Sequence, residues 1–224
     1  MADRITYRLR PARRADLPGL YEVCLKTGDS GQDGTKLHDD PTLLGKFFVG
    51  PYVVLEPDLA FTLEGPSGSV GYLLGALDTA SFNRRCEREW LTPLRDAVHN
   101  PGNDLTTWRD SDWVRRLIHV PDFVFPPALQ AFPAHAHIDL LPEARGHGFG
   151  RRMMTFLMAR LAARDAKGLH LSVAPSNAGG QAFYQKLGFH PVNAPELPRH
   201  TTFMACSLGD IEPNDALAGM VLHG

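Results

Sequence analysis

Arg145-Gly146-His147-Gly148-Phe149-Gly150-Arg151 is the stretch that decides how this 224-residue chain reads. Glycine at every second position leaves the backbone with little steric cover, so its N–H groups can turn onto a negatively charged group. An apolar strand, His135 to Leu141, runs into the loop, and a helix begins straight after it. The helix N-terminus adds free N–H donors and a partial positive charge. Strand, glycine loop and helix together predict an anion cradle. An ATP-type P-loop is excluded, because no Lys-Ser or Lys-Thr follows the glycines. A dinucleotide fingerprint is excluded as well, because its third glycine would fall on Arg151.

Downstream residues narrow the anion. Arg145, Gly148 and Gly150 fit the pattern [RQ]-x-x-G-x-G. The next helix, Phe149 to about Lys167, carries Phe149, Met153, Leu157 and Leu161 on one face, widened by Met154 and Met158. Gly168 is placed to end it as a left-handed cap. A strand, Leu169 to Val173, leads to Asn177-Ala-Gly-Gly-Gln-Ala-Phe183-Tyr184-Gln-Lys186-Leu187-Gly188-Phe189. On residues alone, Asn177 is a helix N-cap, Phe183 and Tyr184 are core aromatics, and Gly188 is a helix stop. Taken in order, the two segments resemble the GNAT superfamily of N-acetyltransferases, with Gly180 where a small Ala is usual.

That resemblance implies acetyl-CoA as donor substrate. The loop residues Arg145, Gly146, His147, Gly148, Phe149, Gly150 and Arg151 would hold its pyrophosphate. Asn177, Phe183, Tyr184 and Lys186 would line its path, and backbone groups near Leu140 and Leu141 would bind the pantetheine. It also implies an α/β (α+β) GNAT fold. The expected sheet is mixed, mostly antiparallel and twisted, with about six to seven strands flanked by helices and a helical insertion before the cofactor strand.

The rest of the chain agrees with that order of elements. Ile5 to Arg10 alternates as a strand, Ala15 to Lys26 reads as a helix, and Pro41 to Val49 as a short one. Leu59 to Glu64 and Ser69 to Asp78 form a hairpin across Gly65-Pro66-Ser67-Gly68. Thr201 to Leu208 is a last strand. We expect one domain over 1–208 and a polar tail over 209–224. The insertion at 79–132 holds Trp90, Trp108 and Trp113. It reads either as a lid beside the acceptor or as an elaboration that thickens the core.

The N-terminal half carries a narrower likeness. Tyr21-Glu-Val-Cys-Leu, Asp33-Gly-Thr-Lys-Leu, Asp40-Pro-Thr-Leu-Leu-Gly and Gly71-Tyr-Leu-Leu-Gly-Ala resemble the acetyltransferase-like C-terminal domain of protein O-GlcNAcase. So do Ala131-Phe-Pro and Asp139. The resemblance implies a free-standing bacterial form. In animal members the glycine loop is degraded, and this chain keeps it.

Composition bounds the partners. A net charge of −2 displays no basic surface for nucleic acid. No apolar run is long enough to cross a membrane. The start has no secretory apolar stretch, and the three cysteines are scattered, which fits a cytoplasmic protein, monomer or homodimer. His135 and His137 share a strand face without a third ligand, so no metal is expected. Gly28-Asp29-Ser30-Gly31 imitates a protease nucleophile segment but has no partner His and Asp pattern.

Acetyl transfer needs a neutral amine, and a lysine-like amine has a pKa of about 10.4. Asp139, in an otherwise apolar strand, is the first candidate base, with burial expected to raise its pKa. His135 and His137 are the alternatives. In the family Tyr184 would protonate the departing thiolate. The expected reaction is direct attack in a ternary complex on a protein lysine or small amine. The alternative is a module that binds acetyl-CoA as a sensor or scaffold without efficient transfer.

Overall fold

The structure, a computed structural model, describes residues 6–123, 125–214 and 221–223. Ile5, where the first strand was expected to begin, lies outside them, as do 215–220 and 224 of the expected tail.

The chain begins with β1 (Thr6–Pro11) and α1 (Leu17–Lys26). Two short helices follow, α2 (Leu43–Phe48) and α3 (Gly50–Leu55), where the sequence suggested one. Pro51 in the first turn of α3 restarts the helix after Val49 leaves helical geometry. The hairpin β2 (Ala60–Gly65) and β3 (Gly68–Ala76) forms across the expected turn. β3 is buried on both faces from Val70 onward, as suits a central strand.

The insertion is helical. α4 (Thr79–Arg85) starts under an Asp78 cap, widens through a π turn at Cys86–Leu91, and ends in α5 (Thr92–Arg95). Arg95 grips Glu87 with both terminal guanidinium nitrogens and donates from Nε to the Ile118 carbonyl. This ties the segment to α6 (Asp112–His119). Phe82, Cys86, Leu91, Val114 and Ile118 are buried, so the insertion does thicken the core. The Trp90 indole donates to the Lys46 carbonyl and anchors it over α2.

β4 (Ala134–Leu140), α7 (Phe149–Ala162), β5 (Gly168–Val173) and α8 (Ala178–Gln185) form the second half. β6 (His190–Pro191), β7 (Thr202–Ser207) and β8 (Val221–His223) complete a sheet of order β6-β7-β5-β4-β3-β2-β1-β8. Among the described residues only the β4–β5 pair is parallel. β8 pairs with β1, so part of the expected tail is a strand.

The predicted apolar face of α7 is fully buried. Its end is a correction: the helix stops at Ala162, and Asp165 takes the left-handed turn at φ 62. Gly168 instead opens β5, where a Cβ would stand 2.7 Å from the Ala131 carbonyl oxygen. Its glycine serves close backbone approach, not capping.

Candidate active site

β4 and β5 pair only at Ala134↔Leu169 and His135↔His170, then diverge. The Leu141 N–H donates to the Val70 carbonyl at 2.8 Å, which sets the antiparallel β3–β4 ladder on odd residues. Alternation then turns the amides of Ala136, Ile138 and Leu140 toward the gap left by β5. This corrects the expectation for Leu141, whose amide is already engaged. The open strand edge belongs to Ile138 and Leu140.

A cleft of about 1130 Å³ follows this gap. At one end lies the glycine loop. Gly146 and Gly148 sit at φ 81 and 76, and a Cβ on either would meet nothing within 4 Å. The loop therefore presents bare backbone and open room at the N-terminus of α7. Arg145, Gly146, Gly148, Phe149, Gly150 and Arg151 reach the cleft wall, as do Asn177, Phe183 and Tyr184. His147 does not: its ring packs outward on Tyr7 and Phe149. Lys186 is exposed outside the lining, and its carbonyl accepts from Arg151.

The Arg145 guanidinium donates to the Leu140 carbonyl at 2.8 Å and to the Gly31 carbonyl at 2.7 Å. The second bond ties the glycine loop to a tight turn in which Ser30 and Gly31 have positive φ. Ser30, Gly31 and Gln32 line the cleft, so the segment that mimicked a protease motif is part of its wall. Asn177 Oδ1 accepts from the Gly180 amide at 2.8 Å, the expected N-cap. Gly188, at φ 90, stops α8.

Asp139 stands midway along the cleft. It is not in an apolar setting, because its Oδ2 accepts from the Tyr72 hydroxyl and lies 3.1 Å from His137 Nε2. The Tyr184 ring packs on Phe183 and Phe189, and no protein group among the described residues bonds its hydroxyl. Burial, helped by the charge of Asp139, pushes the Tyr184 pKa up, which keeps it a proton donor.

The two strand histidines differ. The Thr79 hydroxyl donates to the Pro133 carbonyl, so toward His135 Nδ1, at 2.8 Å, it can only accept. His135 Nε2 is then left to accept from the Tyr52 hydroxyl, also at 2.8 Å. Burial, with His170 and His137 nearby, pushes the His135 pKa down to about 3. It is neutral and closed, which removes it from the candidate bases.

His137 faces acceptors with both nitrogens: the Phe48 carbonyl at 3.2 Å and Asp139. Either neutral tautomer sets a bare nitrogen against an oxygen, so the surroundings favour the imidazolium. Burial opposes that charge. The hydrogen bond and charge of Asp139 and the Phe48 carbonyl outweigh it, and the His137 pKa is raised.

The thiols are not activated. Burial pushes Cys24 well up and Cys86 and Cys206 up to about 12. Among the described residues no cluster of metal-ligating side chains occurs, and no helix is long and apolar enough to cross a membrane. Sequence reading missed Tyr72, Phe48 and Tyr52. Tyr72 lay within Gly71-Tyr-Leu-Leu-Gly-Ala, yet nothing local linked it to Asp139.

Comparison with known proteins agrees with this geometry. The model of the acetyltransferase (GNAT) family matches residues 120–189. Protein O-GlcNAcase of Rattus norvegicus and that of Mus musculus are each 26% identical over 204 residues, 90% of this chain. The chain spans only 22% of the length of those curated relatives. The crystal structure of SsHAT superposes with a TM-score of 0.82 at 33% identity, covering 91% of this chain and 99% of that one. A phosphinothricin acetyltransferase from Sinorhizobium meliloti, crystallised with AcCoA, shares the fold at a TM-score of 0.51 and 16% identity, over 94% of this chain and 91% of its own. By its fold, by the cleft where β4 and β5 part, and by these likenesses, the chain belongs to the GNAT family of acetyltransferases.

Proposed function

We propose that the protein moves an acetyl group from acetyl-CoA to an amine by direct attack in a ternary complex. One observation carries the reading: the bare glycine loop opens into the same cleft that holds Asp139 and the Tyr184 hydroxyl, which no group among the described residues bonds. A phosphinothricin acetyltransferase of this fold holds AcCoA, which supports the same donor here.

The residues fit that donor. Loop amides of Gly146, Gly148 and Gly150 and the N-terminus of α7 suit a pyrophosphate. The open edge at Ile138 and Leu140 suits an extended, amide-bearing pantetheine arm. When bound, acetyl-CoA supplies an activated acyl carbon. Asp139 and His137 act as the proton acceptor. While His137 is protonated, the pair takes no proton from an ammonium group. Once His137 deprotonates, the pair accepts one, the amine attacks, and a C–N bond replaces the C–S bond. Tyr184 donates a proton to the departing thiolate, and the second proton shed by the newly acylated nitrogen restores the Tyr184 hydroxyl. The high pKa of each thiol supports attack without an acyl-cysteine.

Acetyl-CoA titration by calorimetry, followed by amine panels read by free thiol release, tests this. Binding with turnover is expected. No binding refutes the reading, and binding without turnover on any amine favours a sensor or scaffold. An acetylated cysteine found by mass spectrometry would refute direct transfer.

A further inference from the structure

The cleft has two arms of opposite chemistry. Among the described residues, Arg145 and Arg151 are the only Lys or Arg on its wall, and both lie at the glycine-loop end. Beyond Asp139 the other arm is lined by Phe47, Phe48, Tyr52, Phe82, Trp113 and Phe123, with the exposed Asp122 beside Phe123. Resting on the acetyl-transfer reading, we propose that this arm selects its acceptor: a primary amine carried on an apolar, ring-containing body, its ammonium directed to Asp139.

The rings form a connected surface. Phe47 meets Phe48 edge-on with centroids 4.9 Å apart and lies near-parallel to Phe123 at 6.5 Å. Phe48 meets Trp113 at 6.3 Å and His137 at 6.2 Å. Such faces and edges reward another ring. They also attract a cation on its way to the carboxylate. Trp113 is 41% exposed, a large apolar ring left open at the site.

Other acceptor classes fit less well. An amino acid or phosphorylated amine needs a cation beside its anionic group, and among the described residues this arm has no Lys or Arg. An amino sugar needs many hydrogen-bond partners. Tyr52 is already bound to His135, His135 to Thr79, and His137 to Phe48 and Asp139, which leaves Asn83 and Asp122 as the polar side chains among the rings. A lysine side chain brings only a four-carbon stem, which covers little of six rings. Trp113, Phe123 and Phe82 all belong to the 79–132 insertion. That segment thus acts as the acceptor wall as well as a part of the core.

The test uses the full chain with saturating acetyl-CoA and reads free thiol release. Probes are 2-phenylethylamine and tryptamine, against butylamine, glucosamine and a tripeptide with a central lysine. The aryl amines should exceed the others in kcat/KM by about tenfold or more, the discrimination an apolar pocket gives. Trp113→Ala should raise KM for tryptamine by about tenfold and leave acetyl-CoA affinity by calorimetry unchanged, and Trp113→Phe should recover most of the loss. Preference for the peptide or glucosamine, no turnover of aryl amines by a protein that binds acetyl-CoA, or indifference to Trp113→Ala overturns the proposal. Failure to bind acetyl-CoA at all instead removes the acetyl-transfer reading on which it rests.

Discussion

Gly148→Ala separates what the loop costs the fold from what it does for a ligand. Gly148 sits at φ 76, and a Cβ there meets nothing within 4 Å, so the penalty in the free protein comes from the backbone alone. Holding an L-residue in the left-handed region costs about 1–2 kcal/mol. In a domain of this size that lowers Tm by about 2–8 °C. Gly102 supplies the control: it has φ 78, its Cβ would also meet nothing within 4 Å, and it does not line the cleft. Gly102→Ala should therefore show a similar Tm loss. The two variants should part when acetyl-CoA is added. At a hundred times its Kd, a ligand stabilises the wild type by about 2.7 kcal/mol. A methyl group at 148 occupies the room where a phosphate approaches the bare amides. It should weaken binding at least about tenfold, or ~1.4 kcal/mol. Thermal melts with and without acetyl-CoA, with calorimetry for Kd, read both terms. Wild-type affinity in Gly148→Ala would refute the cradle and leave the loop a turn.

Further outcomes test the proton chemistry. Tyr184→Phe should lower kcat while leaving acetyl-CoA affinity nearly unchanged, and equal loss of both would make Tyr184 a packing residue. The wild-type rate should rise with pH through an apparent pKa above the ordinary histidine value, because the His137 pKa is raised. In His137→Asn this limb should shift, with Kd for acetyl-CoA unaffected, and an unchanged profile would exclude His137. For stability, His135 works in the acid range. Its folded pKa is depressed, so the unfolded chain takes up protons first, and stability present above pH 6.5 is lost as pH falls toward 3. Between pH 6.5 and 4.5 its share is at most about 2–3 kcal/mol. Urea midpoints over that window should fall less steeply in His135→Phe.

The glycine loop, the apolar face of α7, the Asn177 cap and the β2–β3 hairpin were legible because each is a local signal. Periodicity, capping chemistry and turn residues act within one element. The same local logic placed the end of α7 too late, since Asp165 takes a left-handed turn that its residue type does not demand. It also ended the short helix at Val49 and left α3, restarted at Pro51, unread.

What sequence alone determined is the frame: an anion cradle at the N-terminus of α7, a second motif on α8, and the family to which both belong. Tertiary structure decided the chemistry between them. The β3–β4 register turns Leu141 away and leaves Ile138 and Leu140 open, and a one-residue slip would reverse that. The same register sets Tyr72 opposite Asp139, while the Phe48 carbonyl of α2 gives His137 its second acceptor. The aromatic arm joins rings from α2, α3, α4, α6 and the segment before β4. No local pattern can announce such a surface, because its parts meet only when the insertion packs over α2 and α3 at the edge where β4 and β5 separate.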